Sequence, residues 1–275
     1  MITSGHTDVM PTFLVGDCSV YYEVLGTGQR MIFLNGSGSN IEAVRPLIGI
    51  LGKYGEVAIH DQRGLGKSSV PNGPYTMAQY ANDALALADH LEWETFAVCG
   101  MSFGGMVAQE LAVTAPQRVE RLALLCTSAG GAGGSSYPLH ELENLSFDQR
   151  QEIYPRLLDE RFTDEWFESH PNDRVYGKIA ERTIDAEKRR GEILQLEARR
   201  NHDVWDRLHR ITCATLVASG KFDGIAPPAN GQSIASRIAG ANFQEYEGGH
   251  LFIVQDKRVL VDLIEFIFHS ERGDS

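Results

Sequence analysis

Residues 96–104 of the chain read FAVCGMSFG, and this stretch decides the fold. An apolar run from Phe96 to Cys99 leads directly into Gly100-Met101-Ser102-Phe103-Gly104, and residues 106–115 then show helical periodicity. The pentapeptide matches the G-x-S-x-G elbow, in which a serine occupies a sharp turn between a buried strand and a helix. A glycine-rich chain can carry this pentapeptide by chance, but here strand, turn and helix follow in the required order. We therefore predict that Ser102 is a nucleophile at the carboxyl edge of a sheet.

Similar apolar runs occur on both sides of this stretch. Residues 122–126 and 215–218 are almost continuously apolar, which is typical of parallel strands covered on both faces. Turns and helix-favouring segments separate the runs, and repeated alternation of strand and helix predicts a doubly wound, mostly parallel α/β sheet. The other predicted strands are Val20–Leu25, Met31–Leu34, Val57–Ile59 and Phe243–Tyr246.

The chain changes character after a glycine-rich run at 130–136, where a charged, helix-favouring stretch begins. We predict a helical cap at residues 129–211, here called the insertion, on a core formed by residues 1–128 and 212–275. Ser146 should begin its first helix and Pro155 should bend or divide that helix, because proline lacks a backbone N–H. A second helix should start at 172–173. A solvated face is expected for the charged residues Glu181, Arg182, Glu187, Lys188, Arg189 and Arg190.

The composition limits the possible functions. With 275 residues, 43% of them hydrophobic, the chain can bury a large core. The net charge of −12 disfavours nucleic acid and anionic membranes, since both require a basic surface. No run is apolar enough to cross a bilayer, and the first residues lack a signal-peptide pattern, so we expect a cytoplasmic protein. The four cysteines show no C-x-x-C spacing, so we expect buried thiols, with no metal site and no cofactor.

Two further residues complete a candidate catalytic triad. Serine needs an imidazole to accept its proton, and that imidazole needs a carboxylate to set its tautomer. Asp223 follows the strand that ends near residue 219, and His250 lies in a Gly-Gly-His loop after the predicted strand at 243–246. The order Ser, Asp, His is the one that accompanies this elbow. Two structural alternatives stay open: Asp223 as a turn residue beside glycine, and His250 as a helix cap.

Other histidines are weaker candidates for the base. His60 precedes the elbow in the chain, and we interpret it as a strand-end residue. His140, His202 and His209 fall in the insertion, where one of them could face a pocket.

The negative oxygen of a tetrahedral intermediate requires hydrogen-bond donors. The backbone N–H of Phe103, directly after the nucleophile, is one candidate. The second is expected in the loop Asn35-Gly36-Ser37-Gly38, and we choose Ser37. A plain glycine-rich turn is the alternative for this loop.

With these features in place, the chain resembles the α/β-hydrolase superfamily over nearly its whole length. Residues 61–68, DQRGLGKS, strengthen the likeness because they are similar to the D-x-R-G-x-G-x-S turn of many members. The resemblance implies that Asp61 and Arg63 brace loops around the site. Proline iminopeptidase relatives share this turn, but their proline-containing oxyanion loop is absent here. Families with an aspartate nucleophile differ from this chain at Ser102.

Many members carry His-Gly in the oxyanion loop, where this chain has Asn35-Gly36. The chain resembles the 3-oxoadipate enol-lactonases in that asparagine, in size and in a compact helical cap. This likeness implies esters or lactones as substrates.

We therefore expect hydrolysis of a small carboxylic ester or lactone through an acyl-enzyme on Ser102. Three alternatives use the same scaffold: a carbon-carbon bond hydrolase, a cofactor-free haloperoxidase, and a small-ligand receptor. Tyr137, Trp166 and Trp205 are candidate pocket walls, with packing in the core or the insertion as the alternative for each. Arg199 or Arg200 would bind a substrate carboxylate if there is one. The expected partner is a small molecule, not nucleic acid or membrane, and a homodimer is left open.

Overall fold

An eight-stranded sheet runs through the centre of the part of the chain that the structure describes. The structure, a computed structural model, describes residues 10–177 and 185–269. The strands are β1 (Thr12–Val15), β2 (Cys18–Leu25), β3 (Arg30–Leu34), β4 (Glu56–His60), β5 (Phe96–Met101), β6 (Val119–Leu125), β7 (Ala214–Gly220) and β8 (Asn242–Tyr246). The α-helices of the described residues are α1 (Ile41–Leu51), α2 (Met77–His90), α3 (Phe103–Thr114), α4 (Phe147–Leu158), α5 (Asp164–Ser169), α6 (Ala186–Arg200), α7 (Pro228–Arg237), α8 (Phe252–Gln255) and α9 (Lys257–Ile264).

The sheet is mostly parallel, with strand order β1-β2-β4-β3-β5-β6-β7-β8. The pairs β1–β2 and β2–β4 are antiparallel, and every later pair is parallel. Successive side chains of a strand point to opposite faces. On β3, Ile32 and Leu34 pack with α2 and α3, while Met31 and Phe33 pack with α1 and α9. Helices thus cover both faces, which confirms the predicted doubly wound α/β fold.

Most strands lie where the apolar runs predicted them, and two local predictions were incomplete. Strand β1 was not predicted because it is an edge strand that buries only Phe13, while Leu14 is 78% exposed. Helix α3 begins at Phe103 rather than at residue 106. Two glycines at 104 and 105 disfavour a helix there, but close packing against the sheet overrides that intrinsic preference.

The chain between β6 and β7 forms α4, α5, α6 and short 3-10 helices. Ser146 caps α4 as predicted, since its side chain accepts a hydrogen bond from the Gln149 N–H. Pro155 does not divide α4, because the proline lies in its last turn and the helix ends at Leu158. The predicted helix at 172–173 is a 3-10 helix over Pro171–Val175.

The expectation of a solvated charged face was wrong for part of α6. The Lys188 ammonium donates to the Ser68 carbonyl at 2.6 Å, and the Arg190 guanidinium donates to the carbonyls of Val70 and Pro71 at 2.7 and 2.9 Å. These side chains attach the insertion to the loop after β4. Glu181 and Arg182 lie outside the described residues.

The cysteines are free thiols, with Cys18, Cys99 and Cys126 buried and Cys213 half-buried. Within the ranges that the structure describes, no helix combines the length and the apolar character needed to cross a bilayer.

Acid should destabilise this fold through His60, which ends β4 and is fully buried. Burial lowers the pKa of His60 from 6.5 to about 4, so the folded protein holds the ring neutral. As the pH falls, the unfolded chain takes up the proton first, and folding stability falls with it. This contribution is therefore present above pH 6.5 and is lost between pH 6.5 and pH 4.

The unfolding free energy of both proteins is compared at pH 7 and at pH 5. We expect the decrease between these pH values to be about 2 kcal/mol smaller in His60→Gln than in the wild type. Urea unfolding at the two pH values measures this difference. His209→Gln is the matched control, because His209 is exposed, and it should follow the wild type. Equal acid sensitivity of His60→Gln and wild type would contradict the prediction.

Candidate active site

Ser102 occupies a strained turn between β5 and α3. Its backbone has φ +55° and ψ −116°, a conformation that non-glycine residues rarely adopt. The Ser102 N–H donates to the Leu125 carbonyl at 2.8 Å, and the Thr127 hydroxyl donates to the Ser102 carbonyl at 2.8 Å. Because the neighbouring strand β6 and the loop after it hold the turn on both sides, the hydroxyl is presented at the carboxyl edge of the sheet.

The two glycines of the elbow are required by close approach. A Cβ atom on Gly104 would collide with the Leu34 carbonyl oxygen, and one on Gly100 would collide with the Gly104 carbonyl oxygen. The G-x-S-x-G pattern therefore reflects the tight contact of α3 with β3 and β5.

Ser102, His250 and Asp223 are linked in that order by hydrogen bonds. The His250 Nε2 atom is 2.9 Å from the Ser102 Oγ, and the His250 Nδ1 atom is 2.8 Å from the Asp223 Oδ2. Asp223 is 1% exposed, and Ser102 and His250 are 8% exposed each. The structure thus brings the three predicted residues together in the arrangement that general-base activation of a serine needs.

Backbone groups orient the acid and the imidazole independently of each other. The Asp223 Oδ1 atom accepts hydrogen bonds from the N–H groups of Ile225 and Ala226, both at 2.8 Å. The His250 N–H donates to the carbonyl of Leu158, the last residue of α4, at 2.5 Å. The insertion therefore contacts the histidine loop directly.

The two predicted oxyanion donors lie on either side of the nucleophile. Phe103 is the first residue of α3, and the first N–H groups of a helix have no partner within it. Ser37 follows Gly36, where a Cβ atom would stand 3.6 Å from the Ser102 Cβ. The loop at 35–38 therefore lies against the nucleophile, and the donor roles of Ser37 and Phe103 stay predictions.

A buried chain of amide side chains supports this loop from the insertion. The Gln195 Oε1 atom of α6 accepts the Gly38 N–H at 2.8 Å, and the Gln195 amide donates to the Gln62 Oε1 at 2.8 Å. The Gln62 amide donates in turn to the Asn35 carbonyl at 2.9 Å. Sequence reasoning missed Gln195, because one glutamine in a charged helix looks like a surface residue. Gln62 carried a signal, since it lies inside the DQRG turn.

The Asn35 amide is buried beside these residues. Neither its oxygen nor its nitrogen has a hydrogen-bond partner among the described residues. A buried amide without hydrogen bonds is energetically unfavourable. A ligand or a water molecule that bonds to the Asn35 amide would remove this cost.

The turn after β4 braces the site, as the resemblance implied. The Asp61 carboxylate accepts the N–H groups of Ile41 and Lys67, both at 2.7 Å. The Arg63 guanidinium forms a buried two-point pair with Asp83 at 2.7 and 2.6 Å. His60, the competing base, ends β4, and β3 lies between β4 and the nucleophile strand. The strands β4 and β5 are therefore two strand spacings, or about 10 Å, apart.

The candidate pocket residues lie in different places. Tyr137 packs against a buried cluster that contains Leu158 and Ile225, next to the loops of His250 and Asp223. Trp166 stacks on His170 at 3.9 Å between ring centres, and Trp205 lies under the Arg237 guanidinium. These contacts put only Tyr137 beside the triad, and the pocket-wall roles of all three stay predictions.

One group of side chains near the triad has the composition of a metal site. The ligand atoms of Cys126, Asp223 and His250 lie within 4.8 Å of one another. Metal binding requires the Cys126 thiolate, and burial raises the pKa of that thiol well above its ordinary value. The hydrogen bonds to His250 and Asp223 described above already use their ligand atoms. The donor set therefore does not fit a metal ion.

Comparison with known proteins agrees with this geometry. Residues 28–255, which contain all the site residues described above, match the Hydrolase_4 family model, described as serine aminopeptidase, S33. The chain is 27% identical over 261 residues to 3-oxoadipate enol-lactonase 2 of Acinetobacter baylyi, covering 93% of this chain and 95% of that protein. It is 27% identical over 242 residues to a poly(3-hydroxyalkanoate) depolymerase of Ectopseudomonas oleovorans, covering 88% and 85%. The crystal structure of the enol-lactonase from Burkholderia xenovorans superposes with a TM-score of 0.77 at 28% identity, covering 93% and 99%.

Removing the Gln195 amide should lower turnover more than substrate affinity. In Gln195→Met the Gly38 N–H loses its acceptor, and the loop that carries Ser37 loses its fixed position. A misplacement of about 1 Å at such a loop can cost on the order of 100-fold. We expect kcat to fall at least about tenfold, with little change in KM, in steady-state assays with a p-nitrophenyl ester.

Gln232→Met on the exposed face of α7 is the matched control and should be neutral. If the Gln195→Met protein folds and keeps its full kcat, the proposed support of the loop is wrong.

Proposed function

We propose that this chain, which belongs to the Hydrolase_4 family and has the α/β-hydrolase fold, hydrolyses a small carboxylic ester or lactone through an acyl-enzyme on Ser102. The observation that carries this proposal is the 2.9 Å contact between the His250 Nε2 and the Ser102 Oγ, with Asp223 behind the ring. The two named relatives support the choice of bond, since a lactone is a cyclic ester and a poly(3-hydroxyalkanoate) is a polyester. Because Ser102 is 8% exposed beneath the insertion, a small substrate fits better than a polymer.

In the first half-reaction, the Ser102 oxygen attacks the carbonyl carbon while the His250 Nε2 accepts the hydroxyl proton. The backbone N–H groups of Phe103 and Ser37 would stabilise the negative oxygen that forms. When this intermediate collapses, the bond from carbon to the leaving oxygen breaks. His250 then returns its proton to the leaving alcohol, which stays attached to the acyl chain if the substrate is a lactone.

In the second half-reaction, water replaces the alcohol. His250 takes a proton from the water, the water oxygen attacks the acyl carbon, and Ser102 leaves with the proton that His250 returns. Asp223 stays ionised throughout and stabilises the imidazolium that forms twice in each cycle.

Removal of the Ser102 hydroxyl or of the His250 imidazole should abolish most of the activity. We expect Ser102→Ala and His250→Ala to lower kcat at least about 10³-fold with p-nitrophenyl butyrate and γ-butyrolactone, as for triad residues in general. Ser236→Ala, on the exposed end of α7, is the control and should keep wild-type rates.

Mass spectrometry with a fluorophosphonate separates an enzyme from a receptor with the same fold. We expect a single adduct on Ser102 in the wild type and none on that residue in Ser102→Ala. A wild-type protein that neither forms the adduct nor turns over any ester or lactone would refute the proposed function.

Asp223→Asn should be inactive for a reason that the hydrogen bonds specify. The N–H groups of Ile225 and Ala226 require an acceptor at Oδ1, so the new amide nitrogen must replace Oδ2, which faces the His250 Nδ1. That nitrogen would donate to Nδ1, and the ring proton would move to Nε2, where it blocks general-base action.

We expect a loss of kcat on the order of 10³ to 10⁴-fold at neutral pH with little change in urea unfolding. Activity within tenfold of wild type would show that Asp223 does not set the tautomer.

A further inference from the structure

A partly open cavity of about 120 Å³ lies between α3 and the insertion. Its walls include Met106 of α3, Ser136 and His140 of the segment after β6, and Arg199 and His202 at the end of α6. One ordered water needs about 10–15 Å³, so this space can hold a group of several atoms. The Met106 N–H donates to the Ser102 carbonyl at 3.2 Å, so the backbone of this wall residue lies one turn of α3 after the nucleophile.

Arg199 is a buried cation on this wall, and three of its five N–H groups have no partner among the described residues. The residue is 6% exposed, and its Nη1 donates to the Tyr137 carbonyl at 2.8 Å. Its Nε and Nη2 atoms have no hydrogen-bond partner among the residues that the structure describes. Burial lowers the pKa of Arg199 to about 10, so the guanidinium is still charged at neutral pH.

The unused edge of Arg199 is the one that binds carboxylates. Arg63 uses the same two atoms, Nε and Nη2, to hold the Asp83 carboxylate at 2.7 and 2.6 Å. Arginine and carboxylate fit each other in this two-point geometry, and a buried charge without a partner is strongly unfavourable. Within the described ranges, no protein carboxylate takes this place for Arg199.

Two histidines place ring nitrogens on the wall of the same cavity. His202 is 7% exposed, and neither of its ring nitrogens makes a hydrogen bond of ordinary geometry within the described residues. Burial lowers the pKa of His202 to about 4, which keeps this ring neutral at physiological pH. The His140 Nδ1 is also buried without a partner there.

We propose that this cavity is an anion subsite, in which the Nε and Nη2 atoms of Arg199 bind a carboxylate carried by the substrate. The proposal rests on the proposed function and narrows its substrate class to esters or lactones that bear a free carboxylate a few bonds from the scissile carbonyl. His202 and His140 offer ring N–H groups to the same oxygens. The Tyr137 carbonyl fixes the guanidinium, and the Tyr137 N–H bonds to the Ile225 carbonyl beside Asp223.

A pair of substrates that differ in one charge tests the subsite. We compare kcat/KM for p-nitrophenyl butyrate, which is neutral, with that for mono-p-nitrophenyl glutarate, which carries a carboxylate. Wild type should prefer the glutarate ester, and Arg199→Met should lower its kcat/KM about 10 to 100-fold, the range for a charged hydrogen-bonded pair. The butyrate ester should change less than threefold. Arg199→Lys should recover only part of the loss, since an ammonium cannot make the two-point contact.

Arg210→Met is the matched control, because Arg210 is exposed, and it should leave both esters unchanged. Arg199→Met is expected to fold, since replacing a buried charge with an apolar side chain of similar length is often neutral or stabilising. Equal effects of Arg199→Met on both esters, or no preference of wild type for the charged one, would overturn the subsite while leaving ester hydrolysis intact.

A binding measurement keeps the subsite separate from catalysis. Calorimetric titration of Ser102→Ala with glutarate should show binding that weakens at least tenfold in Ser102→Ala/Arg199→Met. If no ester is hydrolysed at all, the proposed function fails, and this titration alone supports or overturns the subsite. Absence of glutarate binding to Ser102→Ala, or the same affinity in both proteins, overturns it.

Discussion

The strained turn at Ser102 is the constraint on which the rest of the structure depends. A positive φ at a serine is maintained only where neighbouring elements hold it, and here β5, β6 and α3 do so through backbone contacts. The turn requires α3 to pass so close to β3 and β5 that no side chain fits at residues 100 and 104. The strand order β3-β5-β6 therefore also determines which loops surround the hydroxyl. The loop after β3 reaches it from one side, and those after β7 and β8 reach it from the other.

Ser102, Asp223 and His250 lie at the carboxyl edge of the sheet, and backbone hydrogen bonds fix their orientation. Asp223 would be well held without His250, because two N–H groups of its own loop bind the same carboxylate oxygen. The histidine loop is held by the Leu158 carbonyl at the end of α4, and the acid loop is held there too, since the Gly224 N–H donates to the Leu157 carbonyl at 3.1 Å. The end of α4 thus contacts both loops, so movement of α4 would affect His250 and Asp223 together.

The sequence predicts the parts of this protein that depend on local pattern. Apolar runs gave seven of the eight strands, and the elbow pattern together with chain order selected the residues that the structure brings together as Ser102, Asp223 and His250. Strand β1 was not predicted, because a strand with one buried residue shows no hydrophobic periodicity. Gln195 was not predicted because it lies on a charged helix, where periodicity cannot separate a buried polar residue from an exposed one. Arg199 was named only as one of two arginines that would bind a substrate carboxylate, because the sequence does not show which of the two lies in a cavity. Their positions depend on how the insertion folds back over the core, which is long-range information.

The insertion contacts the residues around the triad at several points. Three of its residues contribute in different ways. Leu158 holds the His250 loop, and Gln195 holds the loop of the expected oxyanion donor. Arg199 offers a cation without a carboxylate partner to a cavity that Met106 of α3 also lines. Two of the three lie on α6, four residues apart and so on the same side of that helix. A change in the position of α6 would alter the support of the oxyanion loop and the anion subsite together. Substrate binding at Arg199 would in turn stabilise the position of α6 in which Gln195 holds Gly38, so that recognition of the ligand and completion of the catalytic site are physically coupled.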